Sequence, residues 1–399
     1  MNAATITPFL GFASLFRMAL AGEDLMPVRS ELILRAQQDP SDANALWDLS
    51  MLLQLTGNHD LGLEVQSQAL HEGRHYHVPA SVQPTRVRLL AIMSPGDLMA
   101  NTPIECLLDG TDVALDMIYV DATHPLPETV PDHDVLMVCV GENDDNRPVL
   151  DRLSDDLREW PKPVVNFPEA ILVLSRDGVC ARLQDAPGVA MPVTARIGRN
   201  VVEAVADGRR TLASVLPNDA FPIIIRPANS HAGTGLQKMD GVEDLRAYLS
   251  IQPETEFCLT PFVDYRGADG LFRKYRVSLI DGRPFLSHLA ISAHWMIHYL
   301  NAGMAESPEK RAEEARVMAS FDHNFARRHQ DAFHAIGSRM GLDYLGVDCG
   351  ETPDGRLLIF EADNSMVVHA MDPVDLYPYK VPQMRKVFTA FRDMLVSRM

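Results

Sequence analysis

The segment most informative about the fold is DYLGVDCGETPDGRLLIFEADNSMVVH, residues 343–369. Two short apolar runs flank a Pro-Asp-Gly turn at 353–355, which predicts a β-hairpin. Asp348 falls on the first run, and Glu361 and Asp363 fall at the end of the second. Pairing the runs would bring three carboxylates together, and these repel one another unless a hard cation neutralises them. An oxygen-rich set of this kind suits Mg²⁺, so the sequence predicts a metal site at these residues.

Composition and charge narrow the class of protein. The 399 residues allow two or three domains, and 46% hydrophobic with 23% charged residues is ordinary for a globular chain. A formal net charge of -18 repels phosphate backbones, so a nucleic-acid partner is not expected, although a local basic pocket for a nucleotide is compatible with it. Five scattered cysteines without a CxxC pair indicate buried reduced thiols and a cytoplasmic setting. No stretch has the make-up of a signal peptide or a membrane span, so no membrane partner is expected.

The order of elements predicts three segments. Residues 1–78 look helical, and ALWDLSMLLQLTGNHDLGLEVQSQAL at 45–70 resembles a tetratricopeptide helix pair. Only one good copy is visible, so we expect it to pack on the rest of the chain, on a second subunit or on a protein partner. Residues 84–165 alternate apolar strands with helices, which predicts a parallel α/β domain. Residues 166–399 mix strands and helices in another order and include one long helix expected at about 308–340.

A glycine-containing loop gives a second chemical signal, in IIIRPANSHAGTGL at 223–236. A buried strand delivers Arg226 into a loop whose glycines let backbone N–H groups approach phosphate oxygens. Arg226 keeps its charge and can grip phosphate with two N–H groups. Such a loop alone is often a plain turn, but beside a metal site it predicts a polyphosphate site. The candidate nucleotide-binding residues here are Arg226, Ser230, Gly233, Thr234 and Gly235.

A basic strand, Arg273-Lys274-Tyr275-Arg276, gives the third signal. Alternation along a strand sends Lys274 and Arg276 to one face and the other two residues to the opposite face. Two cations facing inward could neutralise phosphate or hold a substrate carboxylate. A solvated strand face is the alternative interpretation.

The order of these motifs resembles the ATP-grasp superfamily, which includes glutathione synthetase, D-alanine–D-alanine ligase and the RimK-type ligases. The resemblance covers roughly residues 85–399 and includes N-x-P-x-x-I at 166–171 and Pro-Val-Thr at 192–194. It implies an ATP-grasp fold of α/β and α+β class behind an N-terminal all-α helical segment. The pre-grasp domain would be 84–165. Within the grasp domain, 166–399, a lid subdomain would span about 190–260 and a metal-binding subdomain about 261–399.

The resemblance also implies an activity: an ATP- and Mg²⁺-dependent ligase that joins a carboxylate to an amine through an acyl phosphate. Arg276, with Lys274, would stabilise the transferring phosphoryl group. The family's D…E-x-N metal ligands correspond to Asp348, Glu361 and Asp363. The family's adenine-binding connector corresponds to Thr260, Pro261, Phe262 and Val263.

The chain departs from the family pattern at several positions. Arg226 stands where a lysine is usual, and Asp363 stands where an asparagine is usual, with Asn364 next, so either could be the third ligand. A lysine that often follows N-x-P is absent, and Arg176 or Arg182 could take its place.

The second arginine for the substrate phosphate, expected after the basic strand, is also missing, because no arginine lies between Arg283 and Arg311. That window offers acceptor-substrate candidates in His288, His294 and Asn301. His294 and His298 have the i, i+4 spacing of a zinc helix but lack a third ligand, so a structural or pocket-lining role is favoured. Two other functions stay open: a degenerate nucleotide-binding scaffold that docks a partner through its helices, and nucleotide-dependent transfer without amide formation.

Overall fold

The computed structural model describes residues 9–216, 220–230 and 233–399. The first eight residues of the expected helical segment, and His231-Ala232 of the glycine loop, lie outside the described residues. The chain divides into two compact units. Unit 1 comprises Met1–Leu172, Leu342–Gly346 and Asp363–Met399, and unit 2 comprises Val173–Gly341 and Val347–Ala362.

Four helices open unit 1: α1 (Phe12–Leu20), α2 (Met26–Gln38), α3 (Ala43–Leu55) and α4 (His59–Glu72). The Asp42 side chain caps α3 by accepting a hydrogen bond from the Ala45 N–H at 2.9 Å. Gly57 takes a left-handed conformation, φ +81°, in the turn that joins α3 to α4. The helix pair predicted at 45–70 is confirmed.

A five-stranded sheet follows in unit 1, with the order β1-β3-β2-β4-β5. β1 pairs antiparallel with β3, and the remaining pairs are parallel. The alternation of strands and helices at 84–165 therefore gives the parallel α/β arrangement that the sequence predicts. The elements are β1 (His75–Val78), β2 (Val87–Met93), α5 (Ile104–Leu107), β3 (Val113–Tyr119), β4 (Val135–Val138), α6 (Arg147–Leu157), β5 (Val164–Val165) and α7 (Pro168–Ile171).

β1 corrects the expectation that residues 1–78 are helical throughout. Its sequence, His-Tyr-His-Val, alternates an exposed histidine with the buried Tyr76. That period of two fits a strand, and pairing with β3 satisfies its backbone groups.

A four-stranded antiparallel sheet, ordered β7-β10-β8-β9, forms the first part of unit 2. Apolar side chains of its strands and of two helices make a buried core, which includes Ile225, Tyr248 and Phe257. The helices and strands of this part of the chain, including β6 of the next sheet, are α8 (Arg176–Leu183), β6 (Val189–Ala190), β7 (Ala195–Gly198), α9 (Arg199–Ala206), β8 (Ile223–Pro227), β9 (Gln237–Met239), α10 (Val242–Ile251) and β10 (Glu256–Pro261).

A second five-stranded sheet has the order β12-β11-β13-β14-β6. The predicted hairpin turn at Asp281-Gly282 joins β11 to β12 with positive φ at both residues, 52° and 73°. The remaining elements are β11 (Phe272–Ile280), β12 (Arg283–Ser292), α11 (Pro308–Ser320), α12 (Phe325–Arg328), α13 (Gln330–Met340), β13 (Tyr344–Glu351), β14 (Leu357–Asp363) and α14 (Lys380–Arg398).

The single helix expected at 308–340 is wrong, because three helices occupy that range. The Ser320 hydroxyl donates back to the Arg316 carbonyl at 2.9 Å, and Asn324 leaves helical geometry at φ −116° and ψ −86°. Serine bonds to the preceding turn and thereby weakens a helix locally. Gly341 ends α13 in the predicted left-handed cap, φ +69°. Among the described helices, none has the length and apolar character needed to span a membrane.

Candidate functional site

Asp348 on β13 is the centre of a buried ion-pair network with the neighbouring strand β11. It accepts hydrogen bonds from Lys274 Nζ at 2.7 Å, from Arg276 Nε at 2.8 Å and from Arg276 Nη2 at 2.9 Å. Only 2% of the Asp348 side chain is exposed. The prediction that Lys274 and Arg276 share one strand face is confirmed.

The opposite face of β11 carries the other two residues of the basic strand. Arg273 pairs with Asp269 at 2.6 Å and with Glu313 at 2.5 Å. Tyr275 stacks on Phe325 with ring centroids 4.1 Å apart. These residues serve the packing of the strand, whereas Lys274 and Arg276 lie on the face of Asp348.

Charge pairing governs the protonation of Asp348. Burial alone would raise its pKa, but the charges of Arg276 and Lys274 outweigh burial and hold the pKa far below its usual range. Asp348 is therefore an anion at every working pH, and it orients both cations.

Glu361 on β14 forms a second ion pair, with Arg176 at the start of α8. Arg176 Nη2 lies 2.8 Å from Glu361 Oε1, and the same guanidinium donates to the carbonyls of Ala228 and Ser230 at 3.1 and 2.9 Å. Burial would raise the pKa of Glu361, but Arg176 and then Arg226 bring it below its ordinary value. With 29% of its side chain exposed, Glu361 is open to a ligand in a way that Asp348 is not.

Arg176 is the functional residue that the motifs did not settle. Sequence analysis offered Arg176 or Arg182, and the structure brings only the first to the site. Arg182 instead donates to the Arg339 carbonyl at 3.2 Å.

Arg226 projects from β8 into the loop that follows it. Its Nε donates to Ser230 Oγ at 3.0 Å, and its Nη2 donates to the Ser230 carbonyl. Burial, followed by the positive charge of Arg176, lowers its pKa to about 10, so it stays charged. Arg176 and Arg226 thus hold Ser230 together.

The two glycines of this loop are both in the left-handed region, with φ +74° at Gly233 and +66° at Gly235. A Cβ at Gly235 would overlap the ring of Pro227, so the loop requires glycine there. Thr234, between them, is exposed.

Four cations face two carboxylates in this part of unit 2. Arg176, Arg226, Lys274 and Arg276, named here the cation cluster, interact with Asp348 and Glu361. Two positive charges are left in excess, within a chain whose formal net charge is -18. Such a local excess suits a multiply charged anion.

A cavity of about 490 Å³ lies beside the predicted adenine connector. Thr260 and Pro261 pair with β8, and the Phe262 N–H donates to the Pro222 carbonyl at 3.1 Å, next to Val263. The Phe262 ring meets Trp295 edge-on at 5.7 Å. The cavity is lined by Leu236, Gln237, Lys238, Ser292, His294, Trp295, Met296 and Asn301.

Two of the three predicted acceptor-substrate residues, His294 and Asn301, line this cavity, whereas His288 packs against Tyr299 with ring centroids 4.7 Å apart. His294 and His298 lie outside any α-helix, so their i, i+4 spacing does not place them one helical turn apart, as a zinc-binding helix would require.

Asp363 and Asn364 belong to unit 1. Asp363 Oδ1 accepts from the N–H and the hydroxyl of Ser365, both at 2.9 Å. The Asn364 side chain is fully buried, and its amide donates to the Val140 carbonyl at 3.0 Å. The Asn364 amide nitrogen thus ties two parts of unit 1, and the choice between Asp363 and Asn364 as third ligand stays a prediction.

The described residues contain no group of three or more histidine, cysteine, aspartate or glutamate side chains arranged to hold a metal ion. Both oxygens of Asp348 already accept from cations, which leaves Glu361 as the partly exposed carboxylate. Mg²⁺ in nucleotide sites usually keeps several waters and needs only one or two carboxylates besides the phosphates. The residues thus fit a metal ion brought by a nucleotide, and the three-carboxylate magnesium site stays a prediction.

No protein-family model matches the sequence, and no curated protein matches it. Among solved structures, the chain is similar to a D-alanine–D-alanine ligase from Bacillus anthracis in complex with ATP, with 13% identity and a TM-score of 0.46, over 78% of this chain and 96% of that one. It is similar to the VanG D-Ala:D-Ser ligase from Enterococcus faecalis, with 13% identity and a TM-score of 0.47, over 78% and 98%.

A RimK-domain ATP-grasp protein from Sphaerobacter thermophilus gives 15% identity and a TM-score of 0.42, over 77% of this chain and 99% of that one. At such identities, the activities named for these structures remain properties of those proteins.

Proposed function

We propose that this protein is an ATP-dependent ligase that joins a carboxylate to an amine through an acyl phosphate. The observation that carries the proposal is the cation cluster, whose four cations and two carboxylates sum to a formal charge of +2 beside a glycine loop. The sequence motifs, which resemble the ATP-grasp order, supply the reaction class.

In the first step, an oxygen of the substrate carboxylate attacks the γ-phosphorus of ATP. The bond from that phosphorus to the β–γ bridging oxygen breaks, so ADP leaves and an acyl phosphate forms. Phosphoryl transfer depends mainly on positioning and on charge stabilisation. Lys274 and Arg276, fixed by Asp348, would face the transferring group, and Arg226 with the glycine loop would hold the phosphates.

In the second step, the amine attacks the acyl carbon, inorganic phosphate leaves and the amine nitrogen releases a proton. The cavity lined by Trp295, His294 and Asn301 is the proposed place of the acceptor. Its mixed apolar and polar lining is typical of small-molecule sites.

Magnesium belongs to the proposal as an ion that arrives with ATP. It would be held by Glu361, and the larger ligand set with Asp348 and with Asp363 or Asn364 stays a prediction of the sequence. When bound, it would neutralise charge on the phosphate oxygens.

The test is ADP release by the full chain with ATP and Mg²⁺, against a panel of carboxylates and amines, alone and in pairs. Release that requires a carboxylate and an amine together, with an amide product by mass spectrometry, supports ligation. ADP release with a carboxylate alone at the same rate would favour transfer without amide formation. ATP binding without any turnover would contradict ligation and favour a nucleotide-binding scaffold.

A further inference from the structure

His298 stands between the glycine loop and the cation cluster. A Cβ built on Gly233 would overlap Nε2 of the His298 ring, and its three nearest neighbours are all atoms of that ring. Gly233 has φ +74°, a backbone conformation that favours glycine. The loop can approach the imidazole because it carries no side chain at this point.

A local hydrogen-bond pair holds the backbone at His298. His298 precedes the short 3₁₀ turn Tyr299–Asn301, and its carbonyl accepts from the Asn301 N–H at 3.1 Å. The His298 N–H donates in return to Asn301 Oδ1 at 2.9 Å. The ring nitrogen beside Gly233 is Nε2. Phosphate oxygens only accept hydrogen bonds, so a neutral imidazole that meets a phosphate through Nε2 must carry its proton on that nitrogen.

The surroundings of His298 disfavour the charged form of its ring. Burial lowers the pKa of His298, and the positive charges of Lys274, Arg276 and Arg226 lower it further, against the opposing charge of Asp348. A neutral imidazole with its proton on Nε2 is a hydrogen-bond donor that adds no charge of its own.

We propose that His298 donates its Nε2–H to the terminal phosphate of the bound nucleotide and, as the reaction proceeds, to the acyl phosphate. This role rests on the proposed function. It makes His298 a catalytic residue that acts as a hydrogen-bond donor, and it excludes His298 as the base that deprotonates the amine. The glycine at 233 then lets phosphate, loop and ring meet in one place.

Two amide substitutions separate the two ring nitrogens. In His298→Gln the amide N–H₂ can reach the position of Nε2, whereas in His298→Asn the amide stays near the position of Nδ1 and leaves no donor at the phosphate. Exposed His323, in the 3₁₀ turn Phe321–His323, offers His323→Asn as a matched control away from the site.

The first measurement is calorimetry of ATP and ADP binding to the full chain. A hydrogen bond to a charged group is typically worth about a 10- to 100-fold change in affinity. We expect His298→Asn to weaken ATP by about that factor and ADP much less, with His298→Gln close to wild type. The His323→Asn variant should match wild type for both nucleotides.

The second measurement is a double-mutant cycle of Gly233→Ala with His298→Ala, read as ATP affinity. Because the added methyl would meet His298 atoms, part of the cost of Gly233→Ala should disappear when the ring is absent, leaving the cost of the positive φ. Fully additive losses would contradict the contact.

The third readout is the pH profile of kcat/KM. If His298 acts as a neutral donor, the fall of kcat/KM at low pH (the acid limb) in wild type should persist in His298→Gln. An acid limb that vanishes in His298→Gln would identify a general base and overturn the proposal, as would equal ATP affinity in wild type and His298→Asn. Absence of ATP binding in wild type would overturn the proposed function together with this role. Binding that is the same in all variants would overturn this role alone.

Discussion

Asp348 shows how one buried carboxylate can fix the geometry of two cations. Removing its charge leaves Lys274 and Arg276 facing each other in a site where Asp348 is 2% exposed. Breaking one side of a buried ion pair commonly costs about 3–5 kcal/mol. The carboxylate therefore stabilises the fold and, in the proposed function, arranges the cations for phosphate.

We predict that Asp348→Asn lowers the free energy of unfolding by about 3–5 kcal/mol, measured by urea denaturation. The matched control is Asp185→Asn, which removes the charge of an 85% exposed carboxylate paired with Arg339. Exposed pairs contribute about 0–1 kcal/mol, so the control should stay near wild type. Equal losses in both variants would contradict the buried network.

β11 provides an internal comparison between its two faces. We predict that Lys274→Met lowers kcat by about 10²- to 10³-fold, because a donor aimed at developing charge is lost. Arg273→Met should leave kcat near wild type and affect only stability, since Arg273 pairs with Asp269 and Glu313 on the other face. Steady-state kinetics and thermal unfolding of both variants check this. A similar loss of kcat in both would refute the division of the strand.

Glu361 gives a direct test of the predicted metal ligand. We expect Glu361→Ala to abolish turnover while the fold stays intact, because Arg176 keeps its bonds to the Ala228 and Ser230 carbonyls. ADP release and circular dichroism are the measurements. Retained turnover would remove Glu361 from the metal assignment.

For single residues, the sequence predicts the direction of a side chain correctly where the two-residue period of a strand determines it. The facing of Lys274 and Arg276 follows from alternation, and the structure agrees. The pairing of Arg176 with Glu361 could not be predicted, because it joins residues 185 positions apart through tertiary packing.

Among the elements, a buried carboxylate, Asp48, and a partly buried one, Glu105, hold the chain that leads into α1. Asp48 accepts from the Leu10 and Gly11 N–H groups at 2.8 and 3.0 Å. Glu105 accepts from the Phe12 and Ala13 N–H groups at 3.1 and 3.2 Å. The Glu105 bonds satisfy two backbone donors of the first helical turn that have no partner within the helix. The clamp attaches α1 to both α3 and α5.

This clamp makes the stability of unit 1 depend on pH. Burial raises the pKa of Asp48 to about 7 and that of Glu105 to about 7, although the backbone N–H bonds oppose the shift. A carboxyl group with a raised folded-state pKa binds more protons when folded. Stability is therefore greatest below the unfolded-state pKa and falls as pH rises towards the folded-state value.

We predict that the melting temperature falls as pH rises from about 4 to about 7, and that Asp48→Asn has a flatter profile in this window. Differential scanning calorimetry across the window is the measurement. Asp60→Asn, on the fully exposed Asp60 of α4, is the control and should keep the wild-type slope. A wild-type profile that rises over this window would contradict the clamp's titration.

Some elements can be predicted from their own residues and others cannot. β2 coincides with its apolar run at 87–93, because seven apolar residues between turns are enough to predict a strand. β6, with two residues, could not be predicted from its sequence, since it exists only through its pairing with β14. The break between α11 and α13 was not predicted, because the sequence there contains no proline or glycine that would indicate the end of a helix.

In the molecule as a whole, the cation cluster and the glycine loop belong to unit 2, and the helix pair α3–α4 belongs to unit 1. A ligand that binds only folded unit 2 stabilises that unit by mass action, by about 2.7 kcal/mol at a concentration 100 times its Kd.

We therefore predict that ATP slows hydrogen exchange in β8, β11 and β13 and leaves α3 and α4 unchanged. Exchange followed by mass spectrometry, with and without ATP, measures this. Protection of α3 and α4 equal to that of β11 would show that the nucleotide acts on both units.

The formal positive excess of the cation cluster also bears on how affinities should be measured. A site with such an excess, in a molecule of net charge -18, attracts small anions from the buffer. Sulfate, phosphate or pyrophosphate will then act as competitors, and a nucleotide must displace them. An affinity measured in phosphate buffer consequently reports the exchange of phosphate for nucleotide. The apparent affinity for the nucleotide should rise when the competing anion is replaced by a bulky, weakly binding one.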